Sequence, residues 1–142
     1  MLETLERAWS WTGLAPVAVL KLNAFGNILV RARDGKVWRI CPEELSCEIV
    51  ADSEVRLCEL SKSAEFQDDW HMDPLVRLAE DHLGPLEEGR CYCLKIPAVL
   101  GGAYEVSNLG TNSLKELLAF SGDIARQIQD LPDGARIKIS VK

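Results

Sequence analysis

The sequence predicts an α+β fold: a single domain over residues 1–142, built on an antiparallel β-sheet of about five to seven strands with helices packed on one face. Three observations predict it. Residues 17–41 carry three strand-like runs, and the last two are joined by Asp34-Gly35. Residues 53–83 switch from a period of two to helical spacing, with capping residues at the breaks. Residues 113–130 begin with the capping box Ser113-Leu114-Lys115-Glu116, and Leu114, Leu117, Leu118, Ile124, Ile128 and Leu131 recur at helical spacing behind it.

In chain order, Leu2, Leu5 and Trp9 place a helix over 2–12, which Gly13 is positioned to end. Val17–Leu22 reads as a first strand, Asn23–Asn27 as a turn, and Ile28–Arg33 as a second strand. Asp34-Gly35 suits a type I′ turn, since both residues tolerate positive φ. Val37–Cys41 is the third strand. Arg31, Arg33 and Arg39 alternate with apolar neighbours, so one sheet face is expected to be wet. Pro42-Glu43-Glu44 connects to a fourth strand at Ser46–Val50. Ser53 caps a helix over Glu54–Leu60, and Ser63 caps a segment carrying Phe66 and Trp70. Asp73-Pro74 restarts the helix, with Asp73 as N-cap, along a stripe of Leu75, Leu78, Ala79, His82 and Leu83. Arg90–Ile96 reads as a strand, Gly101-Gly102 as a flexible turn and Tyr104–Val106 as a short strand. Pro132-Asp133-Gly134 makes a turn into a terminal strand at Ala135–Val141.

Sixteen Lys and Arg against 22 Asp and Glu give a net charge of −6. This balance argues against a general nucleic-acid binder, which needs clustered cations for phosphate. No apolar run is long enough to span a membrane, and the acidic, amphipathic start is not a secretory signal. The charge is concentrated: residues 61–90 hold eight acids and three bases, −5 of the total. Such a field can steer a basic partner. It can equally be a solvated helical face that serves solubility.

The chain offers no catalytic constellation. It contains no P-loop, dinucleotide fingerprint, metalloprotease helix or nucleophile elbow. Five cysteines, an odd number without a signal, point to free thiols in a reducing cytoplasm. Cys91 and Cys93 share one face of a strand, but with His71 and His82 they match no zinc template, and core packing explains them. No metal or cofactor is expected. Gly101-Gly102 lacks the Lys-Ser/Thr or third glycine of a phosphate cradle and reads as a structural turn. With Tyr104, Glu105 and Asn108 it supplies the alternative reading, a small-ligand site or enzyme.

Several short pieces follow one another along the chain: Ala8-Trp9-Ser10-Trp11, Asn23–Asn27, Asp34–Trp38, Gly89–Tyr92, Lys95-Ile96-Pro97, Leu100-Gly101-Gly102, and Gln127–Pro132 with Gly134. On these the chain, from residue 7 to 139, resembles the C-terminal domain family of the immunity proteins that protect bacteria from type VI secretion DNase effectors. That domain often follows a GAD-like domain. The resemblance implies a cytoplasmic, non-enzymatic protein that binds and neutralises a cognate toxin. The partner is then expected to present a basic surface, and neither nucleic acid nor membrane is contacted directly. Candidate partner-binding residues are Asp68, Asp69 and Asp73 with Trp70 as an aromatic anchor, then Glu43 and Glu44. A secretion-associated interaction module with another partner is a third reading.

Overall fold

In the computed structural model, which describes residues 1–129, helix α1 (Leu2–Trp9) runs into a 3₁₀ turn at Ser10–Thr12 and stops at Gly13. A four-stranded antiparallel meander follows: β1 (Pro16–Leu22), β2 (Ile28–Ala32), β3 (Val37–Cys41) and β4 (Ser46–Ala51), paired in that order. Three helices come next: α2 (Glu54–Leu60), α3 (Ala64–His71) and α4 (Asp73–Leu83). Among the described residues, strands β5 (Arg90–Leu94) and β6 (Leu109–Ser113) pair with each other, with Arg90 opposite Ser113 and Leu94 opposite Leu109. Helix α5 (Leu114–Ile128) ends the described chain. The α+β class is as expected, but the strands divide into sheets of four and two among the described residues.

The caps act as the sequence predicts in three places. Ser53, Ser63 and Ser113 each accept a hydrogen bond at 3.1 Å from the backbone N–H three residues on, at Arg56, Phe66 and Glu116. At α4 the expectation is corrected. Its N-cap is Met72, and Asp73 is already the first helical residue. Met72 sits in the left-handed region (φ 53°) because it is at once the last cap of α3 and the first of α4, so the chain reverses on one residue. Asp73 still favours the helix start through its charge.

The β2–β3 turn is also corrected. Only Gly35 has positive φ (87°), and Asp34 does not. Gly35 N–H donates to Ala32 O (3.0 Å), and Asp34 Oδ1 accepts from Lys36 N–H (3.0 Å). This is a longer hairpin loop closed by a glycine bulge. The strand expected at 104–106 is absent: Val106–Asn108 is a 3₁₀ turn, and the partner of β5 is Leu109–Ser113. The turn and terminal strand expected over 132–141 lie outside the described residues.

Alternation along β2 sends Ile28, Val30 and Ala32 to one face and Leu29 to the other. The first face packs on α1 and α5 through Leu5, Trp9, Leu118 and Ala125. Trp9 Nε1–H donates to Leu118 O at 3.1 Å, tying the two helices together. The opposite face is covered as well, by Leu57 of α2 and Trp70 of α3 against Leu29, Val37 and Ala51. Helices therefore lie on both faces of the four-stranded sheet. The face marked by arginines is only partly wet: Arg39 lies under α3, whereas Arg31, paired with Glu54 of α2 at 3.2 Å, and Arg33 stay in reach of solvent. A third cluster joins Phe25, Ala79 of α4, and Tyr92, Leu94 and Leu109 of the small sheet.

Candidate functional site

Asn27 and Arg39 organise the site. Asn27, fully buried at the start of β2, donates through Nδ2 to both carboxylate oxygens of Glu43, at 2.9 and 2.8 Å. Its Oδ1 accepts from Arg39 Nε (3.2 Å) and Nη2 (2.9 Å). Arg39 Nη1 then donates to Asp69 of α3, and the guanidinium lies over the Trp70 ring, 5.2 Å from its centroid. Asn23 fixes α3 from the same turn: Nδ2 donates to Trp70 O (2.8 Å), and Oδ1 accepts from the N–H groups of Phe25 and Asn27.

This network floors an open groove of about 400 Å³ whose walls include Glu43, Glu44, Glu48, Asp69 and Tyr104, with Arg39 between them. Burial pushes the Glu43 carboxyl above the usual carboxylate range, while Asn27 and Arg39 pull the other way. Burial, then the Glu43 charge, pushes the Cys41 thiol up to about 12, so it is no nucleophile at neutral pH. Tyr104 donates its hydroxyl to Glu44 Oε1 at 3.2 Å. Burial raises its pKa, and Glu44 and Glu43 raise it further.

Of the residues singled out from sequence, Glu43, Glu44 and Asp69 line this groove together. Asp68 and Asp73 are exposed on α3 and α4 but do not line it. Trp70 is corrected as a surface anchor: it is 4% exposed and packs on Leu29 and Val37. Glu43 is likewise only 6% exposed and faces Asn27 more than solvent. Asn27, Arg39 and Glu48 escape sequence reasoning. The one signal for Arg39 is a base flanked by Trp38 and Ile40 in a strand, which marks a face and not a partner.

The region of Gly101-Gly102 is built as structure. A Cβ on Gly102 would stand 1.8 Å from Ile96 O. Asn108 is spent internally, donating to Ile96 O and Ala103 O at 2.9 Å each. Of the three polar residues grouped with this turn, Tyr104 lines the acidic groove. Cys47 and Cys91 are held up at about 11 and about 12 by burial, and Cys93 is raised for the same reason. Among the described residues no group of His, Cys, Asp and Glu is placed to hold a metal ion, and no helix is long and apolar enough to cross a membrane. A second groove, about 740 Å³, runs between α1 and α5 beside Trp11 and Phe120.

A family model described as "T6SS immunity protein Tdi1, C-terminal" matches residues 51–125, just over half of the chain. The match runs from the end of β4 into α5, so it includes Asp68, Asp69, Asp73 and the β5–β6 unit but not β1–β3. Among solved structures, the chain is similar to the crystal structure of Atu4351 from Agrobacterium tumefaciens, with a TM-score of 0.47 and 23% identity. The similarity covers 70% of this chain and 50% of that one, so the chain matches half the length of that protein. No curated protein matches.

Proposed function

Because the chain belongs to the family of type VI secretion immunity proteins defined by the C-terminal part of Tdi1, we propose that it binds a cognate bacterial effector in the cytoplasm and neutralises it, and that this effector is a nuclease with a basic surface. The observation that carries the nature of the partner is the groove. Among the described residues its lining holds four carboxylates (Glu43, Glu44, Glu48 and Asp69) and one base, Arg39, which Asp69 already holds. Asp68 and Asp73 extend the negative field beyond it. A nuclease needs clustered cations where it meets phosphate. A surface of the opposite sign can cover those cations and find them quickly.

The role is inhibition by binding and not catalysis. The groove's thiol is held protonated, and its one tyrosine hydroxyl is hydrogen-bonded to Glu44. A contact of about 800 Å² would be sufficient for a stable complex, which the acidic rim and its surroundings can supply. Co-expression with a candidate type VI nuclease effector, sought first among the neighbouring genes, tests the reading. Growth restored relative to the effector alone is the expected result. Cells that die as fast with this chain as without it overturn the proposal.

A further inference from the structure

The loop between β5 and β6 runs from Lys95 to Asn108 and is tied shut at its base. Lys95 N–H donates to Asn108 O (2.7 Å), and Asn108 Oδ1 accepts from Ile96 N–H (2.9 Å). The Asn108 amide holds the carbonyls of Ile96 and Ala103, and Gly102 N–H donates to Pro97 O at 3.1 Å. A loop closed in this way has little conformational freedom left to lose on binding.

Such a loop is able to bury its apolar side chains, and this one displays them. Ile96 (53% exposed), Val99 (59%), Tyr104 (44%) and Val106 (39%) are four of the eleven large apolar side chains exposed among the described residues. None of the four belongs to a core cluster. Tyr104 joins the loop to the acidic groove through its bond to Glu44.

We infer that the loop over residues 96–106 is the apolar centre of the effector-binding surface, that Glu44, Glu48 and Asp69 form its acidic border, and that the partner is a protein with an apolar depression flanked by Lys and Arg. The inference rests on the immunity reading above. Interfaces place apolar anchors at the centre and charges at the rim, and the charged border selects a basic partner.

The test is a binding titration with the effector whose toxicity this chain suppresses on co-expression, purified with its catalytic residue replaced. The double variant Ile96→Ser/Val99→Ser is expected to bind at least about tenfold more weakly, with its salt dependence unchanged because no charge is removed. Val55→Ser, which alters a still more exposed residue (71%) on α2, is expected to bind like the unmodified chain. Melting temperatures establish that all three are folded, which the exposure of these positions favours. If the unmodified chain binds but the loop variant matches it within twofold, the loop assignment is overturned and the immunity reading stands. The same holds if Val55→Ser loses as much. If the unmodified chain itself does not bind, the immunity reading fails and the loop assignment falls with it.

Discussion

The side-chain amide of Asn27 lies against both carboxylate oxygens of Glu43, at 2.9 and 2.8 Å, and both residues are buried. The other end of the same amide holds Arg39. Asn27 is thus the neutral spacer between a buried acid and a half-buried base. Asn27→Ala is expected to lower stability by about 3 kcal/mol, because it leaves a buried carboxylate and a guanidinium each short of a partner. Urea unfolding measures this. A loss below about 1 kcal/mol would mean that water replaces the amide.

Glu43 also sets a pH dependence. Burial raises its folded-state pKa above the ordinary value of 4.5. The folded protein then holds the Glu43 proton more tightly than the unfolded chain does. The Glu43 contribution to stability is therefore fully present below pH 4.5 and is lost as pH rises through the folded-state value. Glu43→Gln carries no such proton, so the stability difference between variant and unmodified chain should shift in the variant's favour as pH rises from 4.5 towards neutrality. Denaturation midpoints at a series of pH values check it, and a difference that is flat with pH contradicts it.

Local signals in the chain are legible where they are chemical and short-range. Ser53, Ser63 and Ser113 cap helices because a hydroxyl can reach the third backbone N–H whatever the rest of the fold does. Leu109–Ser113 escaped because Gly110, Thr111 and Asn112 show no apolar alternation; only pairing with β5 makes it a strand. The second covered sheet face escaped for a related reason. Arg39 looks like a solvent-facing base until Trp70 closes over it from thirty-one residues away. The candidate site follows the same division. Acids at 43, 44 and 69 are visible in sequence, but Asn27 and Arg39, which bring them together, act over tertiary contacts.

The crossing of α1 and α5 yields a steric prediction. A Cβ on Gly122 would stand 2.5 Å from Ala8 O, a backbone atom that cannot yield as a side chain can. Gly122→Ala is expected to cost about 2 kcal/mol, or roughly 5–10 °C in melting temperature, despite the better helix propensity of alanine. A melting temperature that is unchanged or higher would show that the two helices slide apart freely.

The cysteines should divide sharply in reactivity. Cys58 is exposed on α2, whereas Cys41 and Cys91 are held up at about 12 by burial and Cys47 at about 11. Alkylation requires the thiolate. Brief iodoacetamide treatment of the folded protein at pH 8 is expected to modify Cys58 alone, and all five only after unfolding, as read by peptide mass. Fast modification of Cys41 in the folded state would mean that the groove opens far enough to hydrate it.

Long-range steering can be separated from the clamp on Arg39. Asp69 serves both, so its reversal would also release α3 from the sheet. Asp68 and Asp73 are exposed and pair with no base among the described residues, so they report on the field alone. Asp68→Lys/Asp73→Lys changes the charge by four units on a surface that carries most of the chain's excess of acid. Against the effector that this chain neutralises on co-expression, the association rate at low salt is expected to fall about tenfold, and its dependence on salt to flatten. Dissociation should change little, because charges outside the contact act chiefly before it forms. Stopped-flow mixing at several salt concentrations measures both. An association rate that is unchanged at low salt would leave the acidic stretch over 61–90 with solubility as its role.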